Sequence, residues 1–109
     1  MATDRTFIEY LLLKLGNDVR FSTKAMFGEY CLYYDGKVVA FICDNRLLIK
    51  LTKQSEHLKD ICEMDEAYPG SKLYYLVSED QLDEPKIFIE TMKEIAAATP
   101  ARKARKAKY

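Results

Sequence analysis

The chain has 109 residues, 49% of them hydrophobic and 31% charged, with eight tyrosines, five phenylalanines and no tryptophan. That length suits one domain with its own core, and the composition is too apolar for disorder; the longest apolar runs, Leu11 to Leu13 and Val38 to Cys43, fall far short of the roughly 20 residues a transmembrane helix needs. The formal net charge of zero is the sum of two unlike parts: residues 1–99 hold all 17 acids and 12 bases, a net of −5, while Arg102, Lys103, Arg105, Lys106 and Lys108 follow with no acid among them.

Residues 4–15 are expected to form an amphipathic helix. Thr3 or Asp4 can cap it, and Phe7, Ile8, Leu11, Leu12 and Leu15 recur at helical spacing. Gly16-Asn17 then supplies a left-handed stop.

From about Arg20 to Leu51 the period changes to two, and Asp35-Gly36 and Asp44-Asn45 read as two-residue hairpin turns. Uninterrupted pairing from those turns sets Cys31 opposite Ala40 and Ala40 opposite Ile49. One face then collects Cys31, Tyr33, Val38, Ala40, Ile42, Leu47, Ile49 and Leu51, an uncharged set expected to be the core. The other collects Tyr30, Leu32, Tyr34, Lys37, Val39, Phe41, Cys43, Arg46, Leu48 and Lys50. Its centre, Leu32, Val39, Phe41 and Leu48, is too apolar for a sheet face left open to water, so either the chain's own segments or a partner should cover it. It is the candidate protein interface.

Residues 53–63 read as a short helix, Tyr68-Pro69-Gly70 as a break, and Lys72 to Val77 as a strand beside the meander. Ser78 to Leu82 forms a cap or turn. A second long helix runs from about Asp83 to Ala98, opened by Asp83-Glu84-Pro85 and striped with Phe88, Met92, Ile95 and Ala96; Thr99-Pro100 ends it. The expected fold class is α+β, one domain in which an antiparallel meander is flanked by N-terminal and C-terminal helices.

Chemistry-bearing motifs are sparse. Cys31, Cys43 and Cys62 are odd in number and widely spaced, which fits free thiols in a cytoplasmic protein better than a disulfide framework or a zinc site. By the pairing above, Cys31 and Cys43 fall on opposite faces. His57 is the single imidazole and sits among Glu56, Lys59 and Asp60, as a surface residue would. The four glycines are too scattered for a phosphate loop or a dinucleotide fingerprint. The acidic pairs Asp65-Glu66 and Glu79-Asp80 read as solvated loop charge. The expectation is a protein without enzymatic activity, catalytic residues, metal or cofactor.

The ordered set Lys24-x-Met26-Phe27-Gly28-x-Tyr30-x-x-Tyr33-x-Asp35-Gly36-Lys37-Val38-x-Ala40, then Asp44-x-Arg46-Leu47-x-Ile49-Lys50, resembles the N-terminal domain of the TfoX/Sxy family of bacterial proteins. The similarity spans most of residues 4–98 and divides the chain into a TfoX N-terminal-like domain, 1–99, and a basic segment, 100–109. It implies a compact α+β domain and a place in transcription regulation, since the family includes regulators of natural competence that act with the cyclic-AMP receptor protein at promoters. It carries over no catalytic residues. Gly28 is expected to permit a bulge or a positive φ between the first two strands.

Three functional classes follow. The first is binding of a protein partner or a second copy through Leu32, Val39, Phe41 and Leu48. The second is nucleic-acid binding through Arg102, Lys103, Arg105, Lys106 and Lys108, where five cations can meet phosphates unless they serve solubility alone. The third is a small-ligand or enzyme pocket between sheet and helices, lined by Tyr33, Tyr74 or Tyr75. None requires a membrane.

Overall fold

The computed structural model describes residues 3–26 and 29–100. In chain order the elements are α1 (Arg5–Lys14), β1 (Phe21–Met26), β2 (Glu29–Tyr34), β3 (Lys37–Cys43), β4 (Arg46–Lys50), a 3₁₀ segment (Lys53–Asp60), β5 (Glu63–Glu66), β6 (Leu73–Val77), α2 (Glu79–Leu82) and α3 (Lys86–Ala98). The strands form one antiparallel sheet in the order β1-β2-β3-β4-β6-β5. The fold is α+β, as the hydrophobic patterns indicate.

Local chemistry explains the boundaries. Helix α1 ends in a Schellman arrangement in which the Asn17 N–H donates to the Leu12 carbonyl and the Gly16 N–H to the Leu13 carbonyl. Gly16 takes a φ of +83°, open to it because it has no Cβ. Both hairpin turns carry positive φ at their two central residues, 54° and 82° at Asp35 and Gly36 and 53° and 58° at Asp44 and Asn45. Turns of that hand match the twist of the flanking strands. The start of α1 docks on the second turn, where Asn45 Oδ1 accepts from the Asp4 N–H and Asn45 Nδ2 donates to the Asp4 carboxylate.

All the helices that cover the sheet pack on one side. Ile8 and Leu11 of α1 with Leu15 at its C-cap, Phe88, Met92, Ile95 and Ala96 of α3, and Leu58 and Leu82 bury against Leu32, Ala40, Ile42, Leu47, Ile49, Tyr75 and Val77. His57, itself exposed, tethers the 3₁₀ segment to α3. Its Nε2 lies 2.7 Å from Thr91 Oγ1, whose hydroxyl donates to the Ile87 carbonyl.

The structure corrects the expected faces. From the second turn the pairing is as expected, Ala40 opposite Ile49 and Ile42 opposite Leu47. Between β2 and β3 it slips: Tyr33 pairs with Val38 but Leu32 pairs with Ala40, leaving Val39 as the extra residue of a β-bulge. Because side chains alternate with a period of two, that single residue transfers Leu32 and Tyr34 to the helix side and Cys31, Tyr33 and Val38 to the other. Val39 joins the helix-side core as well. Leu51, expected in the core, is exposed.

Two further differences concern the second half. The segment after β4 is a 3₁₀ helix ending at Asp60, short of the expected 63, and Glu63–Glu66 pairs with β6 as an edge strand where Asp65-Glu66 read as loop charge. Helix α3 begins at Lys86, after the separate turn α2, which Ser78 caps by accepting from the Gln81 N–H. Gly28 and the basic residues 101–109 lie outside the described residues. Among the described residues no helix is long and apolar enough to cross a membrane.

Candidate functional site: an open cleft on the outer sheet face

Among the described residues every covering helix lies on one side, and the opposite, outer face of the sheet carries none. Cross-strand pairing lines up Cys31, Phe41, Leu48 and Leu76 across β2, β3, β4 and β6. Phe41 on β3 and Tyr74 on β6 reach over β4 and meet edge to face, with ring centroids 5.3 Å apart. Leu48, on the strand between them, is fully buried.

Beside this aromatic bridge lies a cleft of about 730 Å³. The sheet side is lined by Glu29, Cys31, Phe41, Cys43, Arg46 and Tyr74, and the opposite wall is Glu66 at the end of β5 with Ala67, Tyr68 and Pro69 of the loop that follows. Tyr68 stands at its edge with 66% of its surface exposed.

One arginine holds that wall in place. Arg46 Nε donates to the Cys43 carbonyl, Nη1 to the Asp65 carboxylate at 2.7 Å and to the Glu66 carbonyl, and Nη2 to the Ala67 carbonyl. The planar guanidinium fork suits this multiple donation, which a lysine could not reproduce. The Glu66 N–H and the Arg46 guanidinium together hold the Asp65 carboxyl below its ordinary range. Ser71 completes the loop, its Oγ accepting from the Ala67 N–H.

Acids border the cleft. Glu29 Oε1 accepts from the Thr3 hydroxyl at 2.6 Å and from the Asp44 N–H at 3.1 Å, which fixes this carboxylate beside the β3–β4 turn. Asp44 is exposed, and its carboxylate has no hydrogen-bond partner among the described residues, whereas Glu66 meets the cleft through its carbonyl, since pairing with Leu73 turns its side chain to the other face. Burial pushes the Cys31 and Cys43 thiols up from their ordinary range, so both are neutral at pH 7. Among the described residues no group of three or more His, Cys, Asp or Glu is placed to hold a metal ion.

The expected interface residues divide between the two faces. Leu32 and Val39 are buried in the helix-side core, which removes them from any surface, whereas Phe41, half-buried, and Leu48, fully buried, belong to the outer face. The expected pocket between sheet and helices is also relocated. Tyr74 lines the outer cleft, Tyr75 is buried in the helix-side core, and Tyr33 borders a separate shallow depression with Ser22, Thr23, Lys24 and Gly36. Cys31 and Cys43, expected on opposite faces, share the cleft. From the sequence Arg46 stands out only within the family motif and on the outer face, Asp65-Glu66 only as solvated loop charge and Tyr68-Pro69 only as part of a break. The cation candidates Arg102, Lys103, Arg105, Lys106 and Lys108 lie outside the described residues.

Comparison with known proteins accords with this architecture. An uncharacterized 12.7 kDa protein encoded in the trpE 5′ region of Spirochaeta aurantia is 42% identical over 108 residues, covering 99% of this chain and 93% of that protein. The model of the TfoX N-terminal domain matches residues 12–98, from within α1 to the last residue of α3. By that match the chain belongs to the TfoX N-terminal domain family.

Proposed function

We propose that this chain is a non-enzymatic binding domain that acts in transcription regulation by contacting a protein through its outer sheet face. The observation that carries the reading is the uneven treatment of the two faces. One is sealed by α1 and α3, while the other presents the Phe41–Tyr74 bridge and the exposed Tyr68 around an open cleft. Aromatic side chains left at a concave surface are the usual anchors of protein recognition. Family membership supports the regulatory setting, and free thiols fit a cytoplasmic one.

The test is affinity capture from native cells with the full chain and with a Phe41→Glu variant, each with and without nuclease. A protein retained after nuclease by the natural chain and lost by the variant supports the reading. Equal retention by both removes the outer face from it.

A second reading draws on a different observation, the five bases and no acid among residues 101–109. Contact with nucleic-acid phosphates there would weaken steeply with salt. Replacing Arg102, Lys103, Arg105, Lys106 and Lys108 by glutamine should then abolish retention on nucleic acid at low salt; unchanged retention disposes of the idea.

A further inference from the structure

We propose that Met26, Cys31 and Cys43 form a three-sulfur site for a monovalent copper ion on the sheet side of the outer-face cleft. This goes beyond the proposed function and does not depend on it. All three side chains line the cleft.

Strand pairing brings the sulfurs together. Lys24 stands opposite Cys31 and Met26 opposite Glu29, so Met26 shares the face of the sheet that carries Cys31. Cys31 in turn stands opposite Phe41, with Cys43 two residues further along β3. Met26 and Cys43 are therefore both diagonal neighbours of Cys31, one on each flanking strand, and both lie toward the β3–β4 turn. Such diagonals set Cα atoms about 7–8 Å apart, too far for the sulfur–sulfur bond of about 2 Å in a disulfide. A bound metal relaxes that demand, since metal–sulfur bonds of about 2.3 Å hold sulfurs about 4 Å apart. The unbranched methionine side chain adapts on its side.

The donor set selects the ion. Two thiolates and a thioether are soft ligands that favour Cu(I), whereas zinc takes thiolate, imidazole and carboxylate, commonly four together. His57, the single imidazole, is engaged with Thr91 of α3 on the helix side. The carboxylate of Glu29 accepts from the Thr3 hydroxyl and the Asp44 N–H. Lys24 beside Cys31 and Arg46 beside Cys43 favour the thiolate forms, against the burial that disfavours them. Binding moves no electron: each thiol releases its proton to solvent as its bond to copper forms, the thioether donates a lone pair, and copper stays monovalent. Cys31 and Cys43 are buried while Met26 is 42% exposed, so the ion enters from the methionine side.

The experiment is an anaerobic titration of the full, reduced chain with Cu(I) supplied as its bicinchoninate complex, whose colour fades as the protein withdraws the metal. The natural chain should withdraw one equivalent, and X-ray absorption at the copper edge should count three sulfur neighbours. Met26→Leu conserves volume at an exposed position, so the fold is kept. It should bind copper at least about tenfold more weakly, because a direct ligand should cost no less than an outer partner does. Cys31→Ala and Cys43→Ala should each lose the equivalent, and Cys62→Ser should bind as the natural chain does. No copper withdrawn, fewer than three sulfur neighbours, natural affinity in Met26→Leu, or loss of binding in Cys62→Ser overturns the proposal. The sulfur count and Met26→Leu decide it even if the alanine variants fail to fold.

Discussion

Cys31 and Cys43 lie on the same face of the sheet as diagonal neighbours, because the bulge at Val39 sets Cys31 opposite Phe41. Diagonal Cα atoms stand about 7–8 Å apart, beyond the usual span of a disulfide. Burial raises all three thiols above their ordinary range, so access sets them apart: Cys31 and Cys43 are buried, whereas Cys62 is half-buried. Alkylation at pH 7 should therefore modify Cys62 first, with Cys31 and Cys43 reacting at least about tenfold more slowly than in urea, where the thiolate forms freely. Mass spectrometry of timed samples reads the order. Early modification of Cys43 would contradict the burial described for it.

The bulge also divides the apolar centre of the meander into residues that must stay and one that can be altered. Leu32 and Leu48 are fully buried on opposite faces, so Leu32→Ala and Leu48→Ala should each cost about 2–5 kcal/mol in urea unfolding. Phe41 is half-buried, and Phe41→Ala should cost about 2 kcal/mol or less while leaving the helix-side core intact. The contrast tests the register directly. If Leu32→Ala proves as mild as Phe41→Ala, Leu32 does not sit beneath the helices.

Much of this architecture is legible in the sequence because its signals are local. Asp35-Gly36, Asp44-Asn45 and Gly16-Asn17 announce turns through the positive φ they adopt, and the helical stripes of α1 and α3 require a single surface to bury them. The register between β2 and β3 is not legible. Nothing in Val38-Val39 announces that one of two like residues bulges, yet the presence of the bulge moves Leu32 and Cys31 each to the other face. Strand β5 escapes for another reason: Glu63-Met64-Asp65-Glu66 pairs on one side only, and solvent rather than packing sets its composition. The cleft follows from both omissions. Its wall is the loop after that acidic strand, and its fastening is an arginine whose partners are largely backbone carbonyls, which carry no sequence signal.

That fastening predicts an asymmetric effect of conservative change. Arg46→Lys keeps the charge but offers no planar fork, so it should lose the carbonyls of Glu66 and Ala67 while the β3–β4 pairing around it persists. Hydrogen exchange should then quicken several-fold at the amides of Ala67, Tyr68, Gly70 and Ser71, with those of β3 and β4 unchanged. A uniform rise across the sheet would show that Arg46 supports the whole fold rather than the loop.

Acid should loosen the same wall by a second route. The Asp65 carboxyl is held below its ordinary value by the Glu66 N–H and by Arg46, so its folded pKa lies below its unfolded one. For a depressed carboxylate the stabilising contribution is complete above the unfolded value, about 4, and is lost as pH falls through the lower folded value. Protonation removes the charge that Arg46 Nη1 meets at 2.7 Å, leaving the backbone carbonyls as its remaining partners. The side-chain resonances of Tyr68 and Tyr74 should hold steady from pH 7 to about 5 and shift together below about 4. In Asp65→Asn the acid-linked step should vanish. If the step persists in that variant, the contact between Asp65 and Arg46 is not its source.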